Sequence, residues 1–177
     1  MSRAHVFVDE TKARDYLMVA AAVLPGDMND ARKAVRALTL RGQPRLHMKK
    51  ESDARRKQIL AAFSTLGPQV TIYRAGTNFR TELERREHCI RALIADLARD
   101  GHRSLCLERD ESLVSRDRQH LIEATRAHGC TDSLTYSHES AASEPLLAIP
   151  DAIAWAWAKG SDWRRRCDSL VVRVQDI

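Results

Sequence analysis

The sequence predicts an α/β fold in which a mixed β-sheet carries helices on both faces. Two observations predict it. The chain opens with two apolar runs, residues 3–9 and 15–24, joined by the charged connector 10–14. Runs so closely linked read as an antiparallel hairpin. Each later strand-like segment is separated from the next by a segment of helical period, and helical crossovers favour parallel pairing in one sheet. The resulting order is β-β-(α-α)-β-α-β-α-β-α. We read it as a single domain over 1–177, with a helical, basic insertion at 25–68 between the second and third strands.

The elements follow in order. Pro25-Gly26 ends the second strand, and Asp27 or Asn29 can cap a helix carrying Ala31, Ala34, Val35 and Leu38. A short extended piece at 45–47 precedes a helix from Ser52, whose Ile59, Leu60, Phe63 and Leu66 fall on one face. Gly67-Pro68 stops it. "QVTIYRA", residues 69–75, alternates and is β-branched, so it is the third strand. A long helix over 78–100 starts at the capping box Thr81-x-x-Glu84 and carries Leu83, Ile90, Leu93, Ile94 and Leu97, with Gly101 at its C-terminal cap. "SLCLERD" is the fourth strand. A helix over 115–128 turns Leu121 and Ile122 inward, and "DSLTYSH" is the fifth strand. A last long helix covers 144–159, and a short tail helix is expected over 163–174.

A chain of 177 residues is long enough for a substantial core, and 44% apolar against 30% charged residues excludes a disordered protein. The longest apolar run, 17–24, is too short to cross a bilayer, and the opening M-S-R-A-H-V has no leader pattern. No membrane partner and a cytoplasmic location are therefore expected. Cys89, Cys106, Cys130 and Cys167 form no C-x-x-C pair and read as free core thiols. No P-loop, G-x-G-x-x-G or G-x-S-x-G occurs.

The net charge of +5 is concentrated. Residues 41–57, "RGQPRLHMKKESDARRK", hold seven basic and two acidic residues, which accounts for the whole excess. Clustered cations contact phosphates, or simply make a solvated helix face. If they serve nucleic acid, Arg45, Lys49 and Lys50 before the helix and Arg55 and Arg56 on it are the candidates. His47 would contact phosphate or move protons.

The acids are placed less randomly. Asp9 and Glu10 end the first strand. Glu108, Asp110 and Glu111 follow the fourth. Asp151 stands alone in the apolar run "EPLLAIPDAIAWAWAKG". An ionised carboxylate among apolar neighbours needs a partner or a metal; a helix cap or an arginine from the basic segment would also serve. Trp155 and Trp157, two apart on a helix, point different ways; core or dimer contact is their expected use rather than base stacking, so a homodimer is among the expected assemblies.

In their order these motifs resemble an uncharacterised RNase H-like family found in bacteria and phages. They are "VFVDE" closing the first strand, "RLHMKKESDARRKQIL" with its His and Lys-Glu ahead of an Arg-rich helix, "LCLERD" closing the fourth, and "LLAIPDAIAWAW" in the last helix. The resemblance spans nearly the whole chain. It departs from the common pattern at Thr11, where a Ser-Gly turn is frequent after Asp-Glu, and at Pro150, just before the helical Asp. It implies that Asp9, Glu108 and Asp151 form an acidic centre with Glu10 beside it. It also implies a fourth acid: the helix after the third strand offers Glu82, Glu84 and Glu87 with none singled out, the basic segment offers Glu51, and Glu51 and Glu84 stand as the candidates.

Such a centre suits phosphodiester hydrolysis. Two Mg²⁺ or Mn²⁺ ions about 3.5–4 Å apart stabilise both attacking and leaving oxygens, and Mg²⁺ is hard and prefers oxygen ligands. The expected activity is a metal-dependent nuclease acting on DNA or RNA. The alternative is an inactive RNase H-like module that binds nucleic acid or protein. The blandest reading is a structural dimer whose acids form surface ion pairs.

Overall fold

The computed structural model describes residues 3–177. Met1 and Ser2, at the head of the stretch read as lacking a leader, lie outside the described residues. Six strands form one sheet: β1 (His5–Thr11), β2 (Tyr16–Val23), β3 (Gln69–Ala75), β4 (Ser104–Glu108), β5 (Thr135–Glu139) and β6 (Val171–Asp176). Their spatial order is β5-β4-β1-β2-β3-β6. β2 pairs antiparallel with β1 and β3, and the pairs β1·β4, β4·β5 and β3·β6 are parallel. The mixed sheet with a leading hairpin and helices on both faces is thus as the sequence predicts.

Strand alternation sorts the core into two layers. Phe7, Leu17, Val19, Ala21, Val70 and Ile72 pack beneath helices α1 (Met28–Leu38), α2 (Asp53–Leu66) and α5 (Ala148–Lys159). Val6, Val8, Tyr16, Met18, Ala20 and Tyr73 pack beneath α3 (Glu82–Asp100) and α4 (Val114–Ala127). β2, "YLMVAAAV", contributes to both layers, as a central strand covered on two sides must. The expected capping box of α3 is present, and Gly101 ends that helix at φ 71°, a left-handed position suited to glycine. All four cysteines are buried and free.

Four expectations are corrected. β1 runs on to Thr11, so Asp9 and Glu10 lie inside the hairpin, opposite Val19 and Met18. The last helix is broken: a 3-10 turn over Pro145–Leu147 leads into α5 at Ala148. Pro150 therefore falls in the first turn, where its missing N–H would have had no partner anyway. The tail is not one helix. α6 (Ser161–Arg165) is short, and the β-branched "VVRV" becomes β6, anchored by Arg173 on the buried Asp96 of α3, which also accepts the Tyr73 hydroxyl at 2.7 Å. Leu83 and Ile122, read as inward-facing, are exposed. Trp155 packs edge-on to Trp163, with ring centroids 5.1 Å apart, and Trp157 lies under Arg164. Both are occupied within the chain, so the homodimer expected from them has no support in the structure. No described helix is long and apolar enough to cross a membrane.

Candidate functional site

Asp9 is buried among apolar neighbours on the layer covered by α5. The backbone N–H of Glu10 donates to its Oδ1 at 2.7 Å. β4 lies parallel beside β1, with Val8 opposite Leu107, so Glu108 at the end of β4 comes level with Asp9. Asp151 in the first turn of α5 approaches from above the sheet. Burial pushes the Asp9 carboxyl well above its ordinary range, and a hydrogen bond with Glu108 and the charges of Glu108, Asp151 and Glu10 push it further. The three acids that the resemblance implies as the centre, Asp9, Glu108 and Asp151, therefore converge.

The basic segment folds over these acids. Arg45 pairs with Glu108. Asp151 accepts the backbone N–H of Met48 at 2.8 Å, and His47 Nδ1 stands 3.4 Å away. A 3-10 turn, Met48–Lys50, continues from there and leaves Lys49 and Lys50 exposed. Two expected nucleic-acid contacts are otherwise engaged. Arg55 reaches Glu51 at 3.2 Å and the Leu38 carbonyl. Arg56 donates to Asp53 at 2.8 Å and to the Met48 and Lys49 carbonyls at 3.0 Å, and covers the Trp155 ring. They brace the segment rather than face solvent.

Neither candidate for a fourth acid is among those facing Asp9. Glu51 is buried and holds Arg55 and the Gln43 amide. Glu84 closes the α3 capping box, accepting the N–H groups of Arg80 and Thr81.

Glu10 points away. One residue on along a strand reverses the side-chain face, and Glu10 meets Arg86 of α3 at 2.7 Å on the opposite layer. Arg86 also grips Asp117 of α4 with two bonds, of 2.7 and 2.8 Å, and donates to the Tyr16 hydroxyl at 3.1 Å. His138 of β5 completes the network, 2.9 Å from Asp117. Sequence reading missed Arg86, Asp117 and His138. Arg86 sits four residues before Ile90 and Asp117 four before Leu121, so both occupy inward helical positions where an apolar side chain would be ordinary; that misfit was the available signal.

Among the described residues, no three His, Cys, Asp or Glu side chains already stand as a metal cage. In donor type and charge, however, Asp9, Glu108 and Asp151 suit a hard divalent cation: all are carboxylates, and Asp9 faces two other acids with no cation of its own among the described residues. Arg45, on Glu108, occupies the place of such a charge.

No protein-family model and no curated protein matches the chain. Solved structures do. A chain in the PCNA:RNase HII complex from Archaeoglobus fulgidus superposes with a TM-score of 0.59 at 14% identity, covering 90% of this chain and 73% of that one. The fold is RNase H-like. A Q54A mutant of Bst-RNase HIII is also similar, with a TM-score of 0.49 at 13% identity, covering 86% of this chain and 51% of that one. In this RNase H-like sheet the three converging acids stand two residues before the end of β1, at the end of the adjacent parallel strand β4, and in the first turn of α5.

Proposed function

We propose that the chain is a divalent-metal-dependent nuclease, with Asp9, Glu108 and Asp151 as the carboxylates that hold Mg²⁺ or Mn²⁺. One observation carries the reading: Asp9 is buried at the heart of the sheet, facing two other acids, and no cation among the described residues reaches it. Carboxylates left in that arrangement oppose folding, so their presence calls for a positively charged ligand. A bound divalent ion would supply charge against the oxygens of the phosphoryl group as one P–O bond is made and another broken.

The chain's own groups divide the remaining work. The Glu10 N–H fixes Asp9, and the Met48 N–H fixes Asp151, so two carboxylates are oriented before any ligand arrives. His47, half-buried beside Asp151, is placed to hold a phosphate oxygen or pass a proton at Nδ1. Lys49 and Lys50 attract the backbone of the nucleic acid. Glu10 belongs to the Arg86 network and steadies the strand beneath the site.

The test is cleavage of end-labelled single-stranded DNA, single-stranded RNA, duplex DNA and an RNA·DNA hybrid with Mg²⁺ or Mn²⁺. Cleavage of one of these by wild type, absent from Asp9→Asn and Asp151→Asn, is expected. Cleavage that persists in both variants overturns the assignment. The Arg45–Glu108 pair favours a second reading, in which the site is neutralised from within and the chain binds nucleic acid without cutting it. That version predicts salt-sensitive binding and no melting shift with Mn²⁺.

A further inference from the structure

Arg45, which pairs with Glu108, also lines a surface hollow of about 340 Å³. Its wall carries Arg36 from the last turn of α1, Arg41 from the following loop, and Arg45 itself, closed on the far side by Ala141 and Ala142 after β5. Three arginines around one concavity bring positive charges together that an anion would offset. The acids nearest in the fold are already matched: Glu144 to Arg32 at 2.8 Å, Glu51 to Arg55, and Glu108 to Arg45. Arg36 and Arg41 are exposed and pair with no acid among the described residues.

The loop that presents Arg41 is built to hold its shape. Gln43 N–H donates to the Leu40 carbonyl at 3.0 Å, and the Leu40 N–H donates back to Gln43 Oε1 at 3.0 Å. Gly42 takes φ 88° at the tip, a conformation that side chains oppose. Gln43 Nε2 is tied in turn to the buried Glu51 at 3.1 Å. Glu51 thus serves the arginine loop, not the carboxylate centre. A rigid, cation-lined hollow with small residues opposite suits the planar, bidentate grip of arginine on phosphate.

We propose that this hollow seats a backbone phosphate of nucleic acid, gripped by Arg36, Arg41 and Arg45, and that Arg45 is shared between that phosphate and Glu108. The placement next to the scissile position rests on the nuclease reading; the phosphate site itself does not. Sharing gives the site an order of events. In the free protein Arg45 neutralises Glu108. A seated phosphate draws Arg45 toward the hollow and leaves Glu108 its full charge, so nucleic acid prepares the carboxylates for a divalent ion.

The experiment measures binding alone. A fluorescent single-stranded oligonucleotide is titrated with protein in EDTA, by anisotropy, over a range of salt. Arg36→Gln with Arg41→Gln is compared with Arg116→Gln and Arg118→Gln, an equal charge loss at exposed positions on α4, across the sheet. The hollow pair is expected to weaken binding by roughly tenfold for each arginine removed and to lower the salt slope by about 1.4, with the control pair near wild type. Separately, Glu108→Gln is expected to tighten binding several-fold by releasing Arg45, and that gain is expected to vanish in the Arg45→Gln background. Equal affinity and slope in the hollow and control pairs overturns the phosphate site, as does a wild type that takes a mononucleotide but no oligonucleotide. A gain from Glu108→Gln that survives without Arg45 overturns the sharing. Because no metal is present, an absence of cleavage overturns only the nuclease reading and leaves these results standing.

Discussion

Asp9 and Glu10 are adjacent in sequence and face opposite layers of the sheet: Asp9 looks toward Glu108 and Asp151, while Glu10 reaches Arg86 at 2.7 Å. The pair of acids in "VFVDE" is therefore two devices. One is a carboxylate kept short of positive charge, and the other pairs, half-buried, with a buried arginine. Their separation follows from strand geometry, because β1 continues through both residues to Thr11 and alternates throughout.

Opposite consequences are expected from the two conservative variants. Asp9→Asn should abolish metal-dependent cleavage and raise the melting temperature of the metal-free protein, since an amide removes the repulsion with Glu108 and Asp151 and still accepts the Glu10 N–H. The gain should be about 1–3 kcal/mol. Glu10→Gln should retain cleavage and lose about 1–3 kcal/mol of stability with its charged partner. Melting curves and a cleavage assay on the two proteins check this. Loss of cleavage in a folded Glu10→Gln protein would return Glu10 to the catalytic set.

Arg86 is the keystone of the opposite layer, bonded to Glu10, Asp117 and Tyr16. Arg86→Met leaves the buried Asp117 with His138 alone and the half-buried Glu10 with no cation, which should cost about 3–5 kcal/mol. For a chain of this size each kcal/mol lowers the melting temperature by about 2–4 °C, so calorimetry should show a large drop. A change of only a degree or two would mean that the network is dispensable.

Asp117 gives this network a pH signature. Burial alone would raise its pKa, but the Arg86 and His138 hydrogen bonds outweigh burial and hold it at about 2, against an ordinary 3.8. As pH falls from roughly 4 toward 2, the unfolded chain takes up a proton at this position that the native chain refuses. The contribution is complete above pH 4 and is lost across that window, and it amounts to roughly 2 kcal/mol. The stability difference between wild type and Asp117→Asn, followed by urea unfolding, should be constant near neutrality and shrink between pH 4 and 2. A difference that stays constant through that range would remove Asp117 from the linkage.

The hairpin, the alternation of helix and strand, and the capping box were legible because each rests on local pattern: "QVTIYRA" alternates, and Thr81-x-x-Glu84 is a local motif. Asp151 was legible as an acid at odds with its apolar run; Asp9 and Glu108 were legible only as acids closing strands, and the resemblance alone grouped the three. The partners were not. That Arg55 and Arg56 turn inward, that Glu51 braces a loop, and that Arg86 reaches back in sequence to Glu10 depend on tertiary packing, which charge counting along 41–57 does not encode. The C-terminal strand was hidden for a related reason. "WRRRCDSLVVRV" begins with helix formers, and only the pairing of Arg173 with Asp96 and the open edge of β3 decide that its end is extended.

The Arg45–Glu108 pair makes a prediction about the metal itself. A cation of the protein and a divalent ion compete for one carboxylate, so the ion must displace Arg45 and its binding is weakened by whatever that pair is worth. Arg45→Gln should therefore melt lower than wild type without metal, because Glu108 is left facing Asp9 uncompensated. It should then gain more from Mn²⁺, reaching half of its maximal melting shift at a lower concentration. Linkage sets the scale: at 100 times the dissociation constant a bound ion adds about 2.7 kcal/mol. Ca²⁺ and Mn²⁺ titrations followed by differential scanning fluorimetry, on wild type, Arg45→Gln and Asp9→Asn, separate the cases. Arg45→Gln responding at lower Mn²⁺ than wild type, with Asp9→Asn unresponsive, supports a carboxylate metal site guarded by arginine. Identical flat traces from all three would mean that Arg45 is itself the permanent counter-ion and that the acids hold no metal.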